Sequence, residues 1–436
     1  MTKKHQLILG FLLFFSALNA QQPVPTFSLV QLLDSAVQQN YMLQSNEKQT
    51  AIKKTEIELL KINYLPRFTA SANLSYWKWL MPNKAKILGN TLSDVYTDLT
   101  AYQTIYDWGK TKIQKQSVEE EIQLNADVRR QLKSTIIWGV TDAYFETLKS
   151  IAEISVHQNV LKQLKSHLDY VENLYKIGKV SNIDLLKVNV QLSVEEKALQ
   201  KAENSLQSQY IKLKMLCNIE EQHSIKLSDT SDALFYAWEK RLFPLQESMD
   251  EALQNHPILA VDERKIKMEA KQKELYRLTN RPELFSFGVA NWEDGYLPFG
   301  SHFNYNIGVG VRYTLPYFGG SGFKTKMSQS DLRMEQLGIE QKQAMLEIKK
   351  EIEATLNDLM GKKEEIASNK KINKLAEETI SNAWVTYQVG KGSIVDVLDA
   401  ESILTESTIS QKKAELSLLQ TIAKLHYLKG NDTNPF

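Results

Sequence analysis

Two long stretches of the 436-residue sequence contain no proline. The ten prolines lie at positions 23, 25, 66, 82, 244, 257, 282, 298, 316 and 435, which leaves residues 83–243 and 317–434 free of them. Proline interrupts helix interiors, so these gaps permit very long helices. From Lys110 to Ile177 the pattern predicts one helix of 68 residues, which would be about 100 Å long. Helices in ordinary globular cores average about 11 to 12 residues, so a compact domain does not explain this length.

Apolar residues recur every seven positions inside both stretches, as they do along coiled-coil seams. In the second stretch a polar residue, Asn373, interrupts the series once, which a seam tolerates. The positions are Leu185, Leu192, Leu199, Leu206 and Leu213 in the first series, and Met345, Ile352, Leu359, Ile366, Ile380 and Tyr387 in the second.

The N-terminus has the pattern of a secretory signal peptide over residues 1–20. Lys3 and Lys4 precede an apolar run, and small residues end at Ala20. The run is shorter than the roughly 20 apolar residues that span a bilayer. No later stretch is apolar enough for a transmembrane helix, so we expect any insertion of this exported protein into a membrane to use strands.

The overall charge is nearly balanced, with 53 basic and 52 acidic residues. No global field therefore recruits nucleic acid. The single cysteine, Cys217, has no disulfide partner and is interpreted as a small apolar helix residue.

The chain contains an internal duplication. Residues 175–186 align with residues 387–398 at an offset of 212, with six identities. Each copy reads as a helix, two strands, a very long helix, a tight turn and a helix. The predicted segments after the signal peptide are repeat 1 (21–217), an equatorial linker (218–247), repeat 2 (248–430) and a flexible tail (431–436).

The aligned segments carry the chemistry of helical hairpin turns. Gly178 and Gly390 stand where the long helices end, and a residue that tolerates positive φ is favoured there. Ser181 and Ser393 are predicted N-caps of the following helices. Asp184 falls in the first turn of one helix, as Asp396 (in the second copy) does in the other, which suits the helix dipole. Good turn chemistry alone would explain these residues.

Between the helices the apolar period changes from seven to two. Alternation is strongest over residues 303–315 and 68–76, and rougher strands are expected over 95–106 and 284–292. Strands with one apolar face suit a membrane β-barrel, although the edge of a soluble sandwich would look alike. Aromatic residues near the strand ends fit interfacial girdles: Trp77, Trp79, Trp292, Tyr76, Tyr96, Tyr106 and Tyr313.

Four strands are too few to close a barrel, and lipid tolerates no open sheet edge. The strands would therefore be pooled between chains. Two chains give eight strands, whose interior side chains fill, and three give twelve, which leave a lumen. Because a conduit needs a lumen, an assembly of three chains is favoured.

The order of elements and the paired turns resemble the TolC-type outer membrane efflux protein family. The resemblance covers nearly the whole mature chain. Its most specific parts are residues 389–400, their weaker twin 177–186, and the strand-to-helix corners at 106–110 and 317–320.

The resemblance implies a mainly α fold with a small β part. Long helical hairpins would form a coiled-coil-like α-barrel, and four strands per chain would contribute to a trimeric 12-stranded transmembrane β-barrel. The function implied is that of a passive exit duct across outer membrane and periplasm. Its partners would be two further copies, outer membrane lipid, a periplasmic adaptor and an inner-membrane pump, for efflux or type I secretion.

The resemblance also implies roles for the two turns. The periplasmic entrance would be lined by Asp396 and Asp399, with Asp184, and the adaptor would dock at Gly178, Lys179, Ser181, Gly390, Lys391 and Ser393. Independently, Asp396 and Asp399 lie three residues apart and so share a helix face, where a trimer would gather six carboxylates. Two solvated acids on an exposed helix are the alternative.

Two positions depart from the family pattern. Lys187 stands where Asp399 has its counterpart in repeat 1, and Gly392 stands where a basic residue often helps to close the entrance. Either Lys187 or Lys391 could form such a latch, and the sequence does not decide between them.

The sequence predicts no enzyme, no cofactor and no metal site. The histidines, including His157 and His167, form no metal-binding pattern, and no nucleophile has a base nearby. The rival interpretation is a periplasmic coiled-coil scaffold or adaptor without a membrane barrel. The residues do not indicate which substrate is transported.

Overall fold

The chain is described here by a computed structural model. It describes residues 25–78, 91–220, 225–228, 231–294, 302–313 and 322–436. The predicted signal peptide, Trp79 and the corner at residues 317–320 lie outside the described residues. No helix in the described part is long and apolar enough to cross a membrane.

The described elements follow the predicted order in each half. The helices are α1 (Leu29–Gln39), α2 (Tyr41–Lys61), α3 (Lys110–Lys176), α4 (Asn182–Leu216), α5 (Ser231–Trp238), α6 (Leu245–Asn255), α7 (Pro257–Thr279), α8 (Phe323–Gln388) and α9 (Ile394–Leu428). The strands are β1 (Thr26–Phe27), β2 (Arg67–Lys78), β3 (Thr91–Tyr106), β4 (Lys226–Leu227), β5 (Glu283–Asp294) and β6 (His302–Arg312).

The very long helices predicted from the proline gaps are confirmed. Helix α3 runs over 67 residues and α8 over 66. Each ends within two residues of a glycine in the left-handed region, Gly178 or Gly390, both with φ of +74°. The mainly α fold with a small β part is therefore as predicted.

Helix α3 begins at a corner that Asp107 stabilises. Its carboxylate accepts hydrogen bonds from the backbone of Gly109 and Thr111, from the Thr111 hydroxyl and from the Tyr64 hydroxyl. Burial raises the pKa of Asp107, but these bonds outweigh it and hold the pKa below its usual value. The chain turns just after Asp107, where Trp108 and Gly109 both have positive φ.

Strands β2, β3, β5 and β6 form one antiparallel sheet in that order. One face carries the row Phe68, Ala101, Gly288 and Ile307, which lie opposite one another in the register. Side chains on this face of β6 are 65% to 80% exposed and apolar, as the alternation predicts: Phe303, Tyr305, Ile307, Val309 and Val311. In the described part, β2 and β6 each pair along one edge only.

The opposite face of the sheet is less uniformly polar than its β2 and β6 residues suggest. Phe285 and Phe287 of β5 lie against Gly310 and Gly308 of β6, where an added Cβ would come within 2.7 and 2.8 Å of the rings. These two glycines leave the room that the rings occupy.

The chain divides into two compact units, and each contains segments of both repeats. Of the described residues, unit 1 comprises those within 25–43, 132–256 and 348–436, and unit 2 comprises those within 44–131 and 257–347. The predicted repeat boundaries concern sequence similarity and stay a prediction. Unit 2 contains the four-stranded sheet. Unit 1 contains the small parallel pair β1 and β4 and a large apolar core.

The core of unit 1 gathers side chains from α1, α3, α4, α5, α8 and α9. Tyr144, Phe145 and Leu419 are at most 1% exposed within it. Cys217 is also fully buried here, and burial raises the pKa of its thiol to about 12. It is thus a small buried residue, as the sequence predicts, although it caps the end of α4 instead of lying inside a helix.

The prediction of a flexible tail over 431–436 is wrong. The Phe436 ring contacts the rings of Phe145 and Trp238, with centroids 5.7 Å apart in both pairs. The backbone oxygen of Asn431 accepts a hydrogen bond of 3.0 Å from Ser134. The reason is tertiary: the core offers an aromatic surface that the short polar tail sequence does not reveal.

Replacing Phe436 with alanine should destabilise unit 1 by about 2 to 3 kcal/mol, because the ring contributes buried apolar area to the core. Thermal unfolding followed by circular dichroism in detergent measures the change. Tyr236→Ala, at a side chain that is 74% exposed, is the matched control and should have less than about 0.5 kcal/mol of effect. Equal shifts for the two variants would contradict the packing of the tail.

Candidate functional site

The turn between α3 and α4 is a left-handed glycine turn. The Gly178 amide donates to the oxygen of Tyr175 and the Lys179 amide to that of Leu174, each at 2.9 Å. These two bonds occupy carbonyls that the end of α3 would otherwise leave free, as in a Schellman motif.

The turn between α8 and α9 repeats this arrangement. The Gly390 amide donates to Tyr387 at 2.9 Å, and the Lys391 amide donates to Thr386 at 3.0 Å. The 212-residue sequence repeat is therefore also a repeat of backbone hydrogen bonds. The two turns have one local geometry.

Both following helices begin with the predicted caps. The Ser181 hydroxyl accepts from the Asp184 amide at 3.2 Å, and the Asp184 carboxylate accepts from the Ser181 amide at 3.2 Å. In the second turn Ser393 and Asp396 form the same capping box. Such boxes satisfy amides that the first helical turn leaves without partners. Asp184 and Asp396 therefore each have a structural role.

Glycine is required at these turns for two different reasons. A Cβ on Gly178 or Gly390 would meet open space, so their positive φ is the constraint. Gly392 is different, because a Cβ there would lie 3.2 Å from the backbone nitrogen of Tyr387. The close approach leaves little room for the basic residue that the family pattern suggests at this position, and no sequence signal indicates it.

Behind the turns lies an apolar cluster that joins the two hairpins. Val171 and Val188 come from the first hairpin, and Ile394 and Val397 from the second, and all four are at most 1% exposed. Apolar burial shared in this way fixes one turn beside the other.

Tyr387 lies at the junction of the hairpins. Its ring is 7% exposed, and its hydroxyl has no hydrogen-bond partner among the described residues. Burial raises the pKa of Tyr387, and the nearby Asp184 carboxylate raises it further. Asp184 of the first hairpin therefore lies close to Tyr387 of the second, a proximity that sequence spacing alone does not give.

Asp396 and Asp399 are both exposed on α9, whereas Val397 and Leu398 between them are buried. Asp396 is engaged by its cap, whereas Asp399 forms no hydrogen bond or ion pair within the described part of the chain. The shared helix face thus exists in the folded chain.

Neither proposed latch lysine closes onto these acids within one chain. Lys187 and Lys391 are exposed, and no ion pair from either to Asp396 or Asp399 occurs among the described residues. The sequence did not predict one side-chain contact that connects the hairpins: His167 Nδ1 of α3 lies 3.5 Å from Glu401 Oε2 of α9. The His167 ring also stacks on Trp384, with centroids 4.1 Å apart.

His157, like His167, packs and pairs with a neighbouring side chain. His157 Nδ1 lies 2.5 Å from Glu195 Oε1, and both side chains are buried. No group of three or more His, Cys, Asp or Glu side chains in the described ranges is placed to hold a metal ion.

Comparison with known families and structures gives this geometry a context. The sequence model of the family "Outer membrane efflux protein" matches residues 32–218. No curated protein sequence matches significantly. The resemblance to the TolC-type outer membrane efflux proteins is confirmed.

Solved structures of this fold extend the likeness to nearly the whole chain. CusC, described as forming a transmembrane channel, has a TM-score of 0.76 and 16% identity, covering 95% of this chain and 96% of its own. The outer membrane protein VceC of Vibrio cholerae has a TM-score of 0.72 and 15% identity, with coverages of 92% and 96%. The outer membrane channel MtrE of Neisseria gonorrhoeae has a TM-score of 0.72 and 17% identity, covering 93% of this chain and 89% of its own. The chain has the TolC-like fold.

Gly178→Ala should lower the free energy of unfolding by about 1 to 2 kcal/mol, because alanine is strained in the left-handed region. Gly361→Ala is the matched control: Gly361 lies inside α8 with open space around its Cβ direction, and alanine there should stabilise by about 0.5 to 1 kcal/mol. Chemical denaturation in detergent measures both. Opposite signs are expected, and a neutral Gly178→Ala would show that the turn does not need positive φ.

Proposed function

We propose that the chain is one subunit of a trimeric outer membrane duct. The duct would be the passive exit channel of a tripartite efflux pump or a type I secretion system. The observation that carries the proposal is the four-stranded sheet, with an exposed apolar face and two edges that have no partner among the described residues. The family match and the TolC-like fold support it.

The sheet supports pooling of strands between chains. Apolar side chains on β6 suit contact with hydrocarbon, and the backbone groups along β2 and β6 need partners in that setting. Three copies would give a twelve-stranded barrel with a lumen, and the helices would continue the duct into the periplasm.

The two turns are proposed as the docking surface for a periplasmic adaptor. Gly178, Lys179, Ser181, Gly390, Lys391 and Ser393 are all exposed. Apolar side chains stand beside both glycines, with Ile177 65% and Val389 63% exposed. Two equivalent turns in each subunit would offer a partner two equivalent contacts.

The acids near the turns are proposed to line the entrance of the duct. Asp396 and Asp399 share an exposed helix face, and Asp184 lies on the neighbouring hairpin. In a trimer, Asp396 and Asp399 together would gather six carboxylates around one axis. Such a ring favours cations and repels anions.

Replacing both Asp396 and Asp399 with asparagine should lower the cation-to-anion permeability ratio several-fold, because the entrance loses its fixed negative charge. Reversal potentials of single channels in planar bilayers under a salt gradient measure the ratio. The control Glu377→Gln with Glu378→Gln removes the same charge from exposed positions on α8. An unchanged ratio in the aspartate variant would exclude these acids from the constriction.

Gly390→Val should reduce pump-dependent efflux while trimers still form, because the β-branched residue distorts a turn that is proposed to dock the adaptor. Drug accumulation in cells measures efflux, and fractionation with detergent measures assembly. Gly361→Val, at an open helix position, controls for the loss of a glycine. Recovery of the wild-type protein by osmotic shock, without detergent, would instead support a soluble scaffold.

A further inference from the structure

A positively charged cavity lies in unit 2, where the sheet meets the ends of its helices. Its volume is about 450 Å³. Its walls include four cationic side chains, Arg67, Lys110, Arg281 and Arg312, and two carboxylates, Asp107 and Glu283. The formal balance of these six groups is +2, within a chain that is nearly neutral.

The two carboxylates are already engaged. Asp107 accepts four hydrogen bonds at the start of α3, as described above. Glu283 Oε1 accepts from the Tyr102 hydroxyl at 3.1 Å and from the Thr104 hydroxyl at 2.9 Å. Neither acid forms an ion pair with the four cations among the residues that the structure describes.

Two of the cations are held by aromatic rings. The Arg312 guanidinium lies over the rings of Tyr102 and Phe285, at 5.1 and 5.0 Å from their centroids. The Arg281 guanidinium lies 5.9 Å from the Trp108 centroid. A stacked guanidinium keeps its in-plane N–H donors free, and these bind carboxylate or sulfonate oxygens in pairs.

The strand register places the cationic and aromatic side chains of the cavity on the sheet face opposite the exposed apolar face. Arg67 lies opposite Tyr102, and Arg312 lies opposite Glu283, so these side chains share one face. The rings of Phe285 and Phe287 continue it over the two glycines of β6. If the apolar face meets lipid, the cavity opens toward the lumen.

We propose that this cavity binds anionic aromatic solutes in transit through the duct, with Arg67 and Arg312 contacting their carboxylate or sulfonate groups. The proposal rests on the proposed channel function. The aromatic surface beside Arg312 suits a flat ring, and the cations, which form no ion pair among the described residues, suit its charge. The entrance acids would favour cations, so the duct would contain a second element of opposite preference.

The test uses pyranine, a flat aromatic trisulfonate, as a blocker of single-channel current. Full-length trimers, selected by size in detergent, are placed in bilayers of zwitterionic lipid. Pyranine is expected to block the wild-type channel, and Arg67→Gln with Arg312→Gln should raise the half-blocking concentration about tenfold, equivalent to about 1.4 kcal/mol. Arg312→Lys keeps the positive charge but loses the planar guanidinium that stacks on the rings. Its half-blocking concentration should lie between those of the wild type and the double variant.

The matched control is Arg241→Gln, which removes an arginine that lies over Trp238 in unit 1. It should leave the half-blocking concentration unchanged. Equal block in the wild type and the double variant, or no block of an open wild-type channel, overturns the anion site alone. Absence of any wild-type channel overturns the proposed function instead. Block that weakens when an anionic lipid is added would assign the cavity to lipid head groups and overturn the assignment to solutes.

Discussion

The two unpaired edges of the four-stranded sheet are the constraint on which the proposed assembly depends. Strands β2 and β6 each use one edge within the described chain, and the apolar face beside them is open. In hydrocarbon an unpaired backbone amide or carbonyl costs several kcal/mol, so both edges need strands from other copies. In the proposed assembly, oligomerisation would therefore be a condition of membrane insertion.

Much of the fold could be predicted because its signals are local. Proline gaps and seven-residue periodicity locate α3 and α8, and the glycine and serine positions locate the turns within a residue or two. Strand alternation gives the apolar face of β6. These signals depend on backbone preferences and on periods that a sequence displays directly.

The remaining features depend on tertiary neighbours. No sequence pattern near Phe436 predicts its contact with the ring of Phe145. Likewise, no pattern near His167 predicts its contact with Glu401. The cationic cavity likewise cannot be seen in a balanced composition, because Arg67 and Arg312 are 245 residues apart in sequence and only the folded sheet brings both to one cavity. From the sequence alone, Gly392 is a departure from the family pattern. The structure supplies a reason, because Gly392 lies close to the backbone of Tyr387.

The most direct measurement of the central claim is disulfide cross-linking between the edge strands. Ala72→Cys on β2 is combined in turn with a cysteine at Tyr305, Ile307 or Val309 of β6, and the native Cys217 is too buried to react. At the correct register the oxidised membranes should yield covalent dimers and trimers, with nothing larger, because a ring of three has no free edge. Monomers alone at every register, or a ladder that continues beyond three, would contradict the account.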